Sequence, residues 1–208
     1  MPDLILASAS PRRRELLALT GLTFEIDAAE VDEHTNLGAK EAVQELCRRK
    51  ALAVASRHPG EIILAADTLV AMNDIPFGKP ENEEDACRML RSLSGKWHQV
   101  YTGVCTVSTD GQVHVGLDTS DVHFMDMAES DILSYVKTGE PMDKAGAYAL
   151  QGIAGLYISE VRGTPSGVIG LPLPLTRELL ANCGLHIPRT QPCELLIERS
   201  SIYATCCT

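Results

Sequence analysis

The chain of 208 residues has few aromatic side chains (4%) and a single tryptophan. No stretch reaches the roughly 18 consecutive apolar residues that a membrane-spanning helix needs. Glycine (16) and proline (11) are near average abundance, which excludes collagen-like and low-complexity sequence. The N-terminal MPDLILASASPRRR places its apolar stretch before its basic one, the reverse of a secretory signal. We therefore expect a cytoplasmic globular protein with no membrane partner.

Positive charge is scarce as well. Lys and Arg number 18 against 28 Asp and Glu, so the net charge is −10. This balance argues against broad binding to nucleic acid, and an anionic ligand would need a local cluster of cations. The seven cysteines are scattered and include no C-x-x-C pair, so neither a disulfide framework nor a structural zinc site is expected. The motifs of P-loop proteins, serine hydrolases and zinc proteases are missing too.

Alternating helix and strand signals predict an α/β protein: a mixed sheet flanked by helices, with two lobes around a substrate cleft. The predicted strands are residues 4–7, 61–72, two runs within 97–125 that flank the Asp110-Gly111 turn, and 156–161. The predicted helices are residues 11–19, 39–57, 83–93, 129–138 and 173–182. Residues 73–80 and 163–170 are predicted to be loops. We expect one domain over residues 1–188 and a C-terminal tail of unknown role over 189–208.

Three arginines at 12–14 lie in the first turn of the helix that Ser10-Pro11 is expected to cap and open. The helix dipole disfavours each cation there by up to ~1 kcal/mol. An anion bound at the same end would reverse this penalty, because backbone N–H groups, the Ser8 and Ser10 hydroxyls and the guanidinium groups would all face it. The pattern indicates a phosphate site. The alternative is a solvated basic patch with an ordinary Ser-Pro cap.

A carboxylate interrupts the apolar run EIILAADTLVAM at 61–72, where Asp67 is followed by Thr68. An isolated buried carboxylate costs several kcal/mol or takes up a proton, so it needs a metal ion, a lysine or a network of donors. The alternative is that the strand ends at Ala66 and Asp67 caps a turn. Apolar residues resume at Leu69, which favours a functional carboxylate.

Several other charged residues allow more than one interpretation when each is considered alone. Lys50 interrupts an apolar helix face, which is explained equally well by snorkelling of its long side chain or by function. Lys79 lies on a predicted loop. The pair Asp32-Glu33 suits either a turn cap or a divalent-metal site, and Asp143-Lys144 suits a surface ion pair in a turn.

Together these segments resemble the Maf family of nucleoside triphosphate pyrophosphatases. The matching segments, in order, are LILASASPRR, EVDE at 30–33, the lysine at 50, AADT at 65–68, GKP at 78–80, LSG at 93–95, H-x-V-x-T-G at 98–103, GEPMDKAGAYALQG at 139–152 and GLPL at 170–173. The resemblance implies a Maf/ITPase-like fold and cleavage of a nucleoside triphosphate between its α- and β-phosphates. It also implies a divalent cation (Mg, Mn or Co) as cofactor, and homodimers in many members.

The resemblance assigns roles to individual residues. Asp67 matches the general base, Lys50 and Lys79 match catalytic lysines that neutralise charge on the phosphates, and Ser8 and Arg13 match phosphate contacts. An Asp is a weak base in water, so activation of the water by the metal is expected to contribute more than its basicity. The metal-ligand candidates are Asp67 with Asp32 and Glu33, and which member of the acidic pair contacts the metal stays open.

Three positions carry the expected base preference. Arg12, Thr68 and Gln151 resemble the subgroup that acts on dTTP and UTP, whereas the 7-methyl-GTP subgroup has Trp, Gln and Glu there. A glutamine amide pairs well with the O4 and N3–H edge shared by thymine and uracil, which extends the expectation to modified pyrimidine nucleotides. The alternatives are a 7-methyl-GTP or broad-specificity pyrophosphatase and a non-catalytic nucleotide-binding regulator of cell division. The presence of Asp67, Lys50 and Lys79 disfavours the regulator.

Overall fold

The computed structural model describes residues 2–187, so the predicted tail at 189–208 lies outside the described residues. The strands are β1 (Leu4–Leu6), β2 (Phe24–Ile26), β3 (Ile63–Met72), β4 (Ile75–Phe77), β5 (Trp97–Val107), β6 (Val113–Phe124) and β7 (Ile158–Arg162). The helices are α1 (Pro11–Ala18), α2 (Ala39–Ala55), α3 (Glu83–Leu93), α4 (Glu129–Val136), α5 (Pro165–Ile169) and α6 (Leu173–Asn182). Three short 3-10 turns cover Glu140–Asp143, Ala145–Ala147 and Ile153–Tyr157.

All seven strands join one mixed sheet, which confirms the predicted fold class. The strand order is β2-β1-β3-β5-β6-β7, and β4 pairs with the end of β3. The pairs β1–β2 and β1–β3 are parallel, whereas β3–β5, β5–β6 and β6–β7 are antiparallel. Among residues 2–187, no helix combines the length and apolar character that crossing a membrane requires.

Helix α2 lies against the sheet because its apolar face is buried on β3 and β5. Cys47, Ala51 and Val54 pack in one cluster with residues of both strands. The approach is close at Gly103, which pairs with Asp67 in the β3–β5 register. A Cβ on Gly103 would lie 2.3 Å from the Val43 carbonyl oxygen, so only glycine allows this contact. The close approach brings the next turn of α2 over the centre of β3.

The buried apolar side chains of the described residues form four clusters, and the two largest are the cores of the two lobes. The core of the first lobe includes Leu4, Leu6, Leu17, Leu64, Leu171 and Leu180. The core of the second lobe includes Phe77, Leu90, Leu93, Phe124, Ile132 and Tyr148. Strand β3 contributes to both cores, so its centre lies at the boundary between the lobes.

The predicted helices and strands are confirmed with ends that differ by at most two residues, but both predicted loops are wrong in part. Residues 73–80 contain β4, which forms a tight hairpin with β3 through Asn73 (φ 51°) and Asp74 (φ 62°). Positive φ at both central residues is typical of a type I′ hairpin turn, and Asn and Asp tolerate it. Residues 163–170 contain α5, which is too short to show an apolar period.

Candidate active site

A cleft of about 710 Å³ opens between the two lobes and collects nine of the ten residues that the sequence singled out. These nine are Ser8, Arg12, Arg13, Glu33, Lys50, Asp67, Thr68, Lys79 and Gln151. They come from the β1–α1 connection, the first turn of α1, the segment before α2, α2 itself, β3, the loop after β4 and the turn before the third 3-10 segment. Asp32 is the predicted site residue that does not line the cleft.

Lys50 and Asp67 form a buried ion pair at the base of the cleft. Lys50 Nζ lies 2.5 Å from Asp67 Oδ1, and 11% of each side chain is exposed. The same ammonium lies 2.6 Å from Glu33 Oε1, and this hydrogen bond holds the pKa of the Glu33 carboxyl below its ordinary value. Lys50 therefore does not snorkel to solvent. Strand β3 continues to Met72, so the alternative in which it ends at Ala66 is wrong.

The structure separates the acidic pair Asp32-Glu33. Asp32 Oδ1 accepts a hydrogen bond from the backbone N–H of His34 (2.9 Å) and so closes its own turn. Glu33 is directed to Lys50. Arg49, the residue before Lys50 on α2, donates to the backbone carbonyls of Asp32 and His34 (both 3.3 Å). The turn is thereby tied to the helix that carries Lys50. Sequence reasoning missed Arg49, which gives no signal beyond its place beside that lysine.

Arg13 gathers three segments of the first lobe around one guanidinium. Its Nη1 donates to Ser8 Oγ (3.3 Å), its Nη2 to Thr68 Oγ1 (3.2 Å) and its Nε to the Gly170 carbonyl (2.9 Å). Burial lowers the pKa of this guanidinium, and the nearby charge of Asp67 opposes that effect. Sequence reasoning grouped Arg13 with Ser8 in the phosphate site predicted at the start of α1, but it gave no link between Arg13 and Thr68.

The hydroxyl of Thr68 belongs to a chain of hydrogen bonds that runs away from the cleft. Thr68 Oγ1 and Thr102 Oγ1 lie 3.1 Å apart, and Thr102 donates its proton to the Gly167 carbonyl (2.9 Å). Because Thr102 has one hydroxyl proton, it accepts from Thr68, which in turn accepts from Arg13. The chain ties Arg13 to the short helix α5. Thr102 lies in the H-x-V-x-T-G segment, but its buried position on β5 gives no sign of this role.

Helix α1 presents its N-terminus to the cleft without the predicted cap. Ser10 occupies the N-cap position, but its side chain makes no capping hydrogen bond. Its own backbone N–H instead donates to Ser8 Oγ (3.2 Å). Ser10 therefore takes the predicted N-cap position without the capping hydrogen bond, and the first N–H groups of α1 stay available for an anion.

The second lobe contributes charges that the sequence left as a surface pair. Arg12 Nη1 lies 3.6 Å from Asp143 Oδ2 across the cleft, and Asp143 also pairs with Lys144. Lys144 is largely buried, with 14% of its side chain exposed, and both residues line the cleft. The pair Asp143-Lys144, which was predicted to lie in a surface turn, thus forms part of the cleft wall.

Comparison with known proteins agrees with this geometry. The family model for Maf-like proteins matches residues 3–183. The chain belongs to the Maf family.

Curated relatives of this Maf chain cover most of its length. A dTTP/UTP pyrophosphatase of Anaeromyxobacter dehalogenans is 47% identical over 196 residues, 92% of this chain and 99% of that protein. A dTTP/UTP pyrophosphatase of a Geobacillus species is 47% identical over 85% of this chain and 95% of that protein. One from Myxococcus xanthus is 46% identical over 89% and 94%. A solved structure, the nucleoside-triphosphatase / dITP/XTP pyrophosphatase from Mycobacterium abscessus, is similar in part. The match covers 60% of this chain and 75% of that one, with a TM-score of 0.39 and 14% sequence identity.

The Maf cleft fits a divalent cation that shares its ligands with a substrate. Within residues 2–187 no three His, Cys, Asp or Glu side chains converge as an all-protein cage. Oxygens of Glu33 and Asp67 nevertheless meet at one point, the Lys50 ammonium. Mg²⁺ is commonly held by one or two carboxylates, phosphate oxygens and waters, so the oxygen donors of these two residues suit it, while the point at which they meet holds the Lys50 ammonium. Asp32, the third predicted ligand, does not line the cleft, and its Oδ1 accepts the backbone N–H of His34, so its role at a metal stays a prediction.

Proposed function

We propose that this chain hydrolyses dTTP and UTP, and modified pyrimidine nucleotides, to the monophosphate and pyrophosphate. One observation carries the proposal: a single cleft of this acidic chain holds two sets of residues, one suited to binding phosphates and one suited to hydrolysis. One set, Arg13 with Ser8 at the open N-terminus of α1, suits phosphates. The other, Asp67 with Lys50 and Glu33, suits hydrolysis. The curated relatives carry the name of this activity.

The phosphates are bound by cations that oppose the net negative charge of the chain. Arg13 and the first N–H groups of α1 hold the phosphate nearest the first lobe. Lys79, which lines the cleft after β4, reaches the remaining phosphates. Lys50 neutralises the charge that grows on the leaving pyrophosphate as the anhydride bond breaks.

Asp67 orients the attacking water and accepts its proton. Its carboxylate is paired with Lys50 at 2.5 Å, and β3 fixes its position. Glu33 and Asp67 together would hold the divalent cation (Mg, Mn or Co). When bound, this cation supplies charge neutralisation and a lowered pKa of water. The general base and the phosphate-binding cations therefore meet at the boundary of the two lobes.

The base is read on the second lobe and at the mouth of the cleft. Gln151 is exposed there and presents its amide to the O4 and N3–H edge of thymine or uracil. Arg12 and Thr68 complete the set of base-reading residues. The proposal further includes one catalytic domain over residues 1–188, a tail of unknown role, a cytoplasmic location and a homodimer, which rest on the sequence and the family alone.

The test is an assay of the purified chain against a panel of triphosphates with Mg²⁺ or Mn²⁺, with chromatography of the products. The expected result is monophosphate and pyrophosphate, formed fastest from dTTP and UTP. Diphosphate and phosphate would contradict the assigned bond, and preference for 7-methyl-GTP would contradict the assigned base. Binding without turnover would favour the regulator. A parallel preparation of Asp67→Asn excludes a contaminating enzyme.

A further inference from the structure

The carboxylate of Glu140 closes the loop that presents Gln151. Glu140 Oε1 accepts a hydrogen bond from the Tyr135 hydroxyl (2.8 Å) and another from the backbone N–H of Ile153 (3.1 Å). Its Oε2 lies 3.2 Å from the same N–H. Tyr135 is buried, and burial together with this hydrogen bond raises the pKa of its hydroxyl, so it stays a donor. Glu140 thus joins the end of α4 to the residue two places after Gln151.

Gly152 makes room for this carboxylate. A Cβ built on Gly152 would lie 2.1 Å from Glu140 Oε1 and 2.5 Å from its Cδ. The backbone of Gly152 has φ −103° and ψ −161°, which any residue adopts. The glycine is therefore required by the contact with Glu140 and not by its own conformation. The carboxylate lies directly on the peptide that follows Gln151.

The other side of Gln151 has an anchor of its own. Tyr148, three residues before it, forms a 2.8 Å hydrogen bond through its hydroxyl with His98 Nε2. His98 is fully buried on β5, where its ring packs against the edges of Phe124 and Tyr148. The segment from Tyr148 to Ile153 is therefore held at both ends, and the exposed Gln151 lies between the two anchors.

We propose that Glu140 is a positioning residue for base recognition, acting through the backbone around Gln151. This inference rests on the proposed function. Glu140 is not among the residues that line the cleft, so it does not reach the substrate itself. The Gln151 amide must be held within about 0.5 Å of the position in which it pairs with the base, because an amide that moves further loses its paired hydrogen bonds. Glu140 supplies that restraint from behind the loop.

The test compares kcat and KM for dTTP and dATP in the wild type and in Glu140→Ala, Glu140→Gln and Gly152→Ala. Glu140→Ala is expected to raise KM for dTTP about tenfold with kcat changed less than about threefold, and to leave dATP nearly unchanged. Glu140→Gln keeps an acceptor at Oε1 and is expected to stay within about threefold of wild type. Gly152→Ala displaces the carboxylate and is expected to reproduce Glu140→Ala, which covers the case that one variant folds poorly.

A double variant separates positioning from general stability. Glu140→Ala added to Gln151→Ala is expected to change kcat/KM for dTTP by less than about twofold, because the residue it positions is already gone. Additive losses, or equal losses for dTTP and dATP, would overturn the inference. If wild type turns over dTTP and Glu140→Ala matches it, this inference alone fails. If the wild-type protein does not act on dTTP, both the proposed function and this inference fail.

Discussion

Lys50 Nζ lies 2.5 Å from Asp67 Oδ1 and 2.6 Å from Glu33 Oε1, so one ammonium is shared by two carboxylates from different segments. The arrangement depends on the close contact of α2 with Gly103, the strand partner of Asp67. It explains how an apolar strand accommodates a carboxylate, because the cation next to it offsets the cost of its burial.

Asp67→Asn is expected to lower kcat for dTTP by about 10²- to 10⁴-fold, the range for loss of a general base. The amide has nearly the same shape but does not accept the proton of the attacking water. Steady-state kinetics measure the loss, and circular dichroism checks the fold. Asp74→Asn is the matched control, since Asp74 lies in the exposed β3–β4 turn where Asn is equally suited. Wild-type turnover in folded Asp67→Asn would remove Asp67 from the role of base.

Lys50→Met is expected to lower the free energy of unfolding by about 3 kcal/mol, because it leaves the buried Asp67 without its partner. The double variant Lys50→Met/Asp67→Asn is expected to recover more than half of that loss, since no buried unpaired charge remains and the Glu33 side chain, 59% exposed, is solvated. Urea unfolding at neutral pH measures both values. A double variant as unstable as Lys50→Met would show that the ion pair is not the source of the effect.

Arg13→Lys is expected to lower kcat/KM for dTTP by about 10- to 100-fold, although the charge is kept. The guanidinium contacts Ser8, Thr68 and Gly170 through three different nitrogens, and a single ammonium does not span them. The control is Arg88→Lys, an exposed arginine on α3, which is expected to have no measurable effect. Equal activity of Arg13→Lys and wild type would mean that charge alone matters at this position.

His98 is expected to make the stability of the chain depend on pH between 6.5 and about 4. Burial lowers the pKa of His98 from 6.5 to about 4. Between these values the unfolded chain binds a proton that the folded chain does not, so stability falls as the pH is lowered. The contribution over this interval is at most about 3 kcal/mol.

His98→Phe removes this dependence, and urea unfolding at a series of pH values compares its slope with that of wild type. The variant also leaves the Tyr148 hydroxyl without its partner, which shifts stability by an amount that does not vary with pH in this range. Tyr148→Phe keeps His98 buried and is expected to retain most of the wild-type slope. Identical slopes in wild type and His98→Phe would contradict the assignment.

The sequence alone determined the main helices and strands and most of the site. The apolar period of α2 and the continuous apolar run of β3 are local patterns, and Lys50 and Asp67 stand out because each breaks one. The motif matches added Arg13, Glu33 and other cleft residues without any knowledge of their contacts. The roles of all these residues stay predictions, those of Lys79 and Gln151 included, since the structure shows their place in the cleft but no substrate.

The tertiary structure alone decided which of Asp32 and Glu33 reaches Lys50. Residues 27–37 are neither helix nor strand, so no repeating backbone bond sets the direction of their side chains. Arg49 on helix α2 sets the direction of these side chains through hydrogen bonds to the carbonyls of Asp32 and His34. The contact of Glu140 with Ile153 is likewise between residues that share no helix or strand. Local pattern determines an element and its buried face, whereas the partner of a side chain on an irregular segment depends on contacts between parts of the chain that only folding brings together.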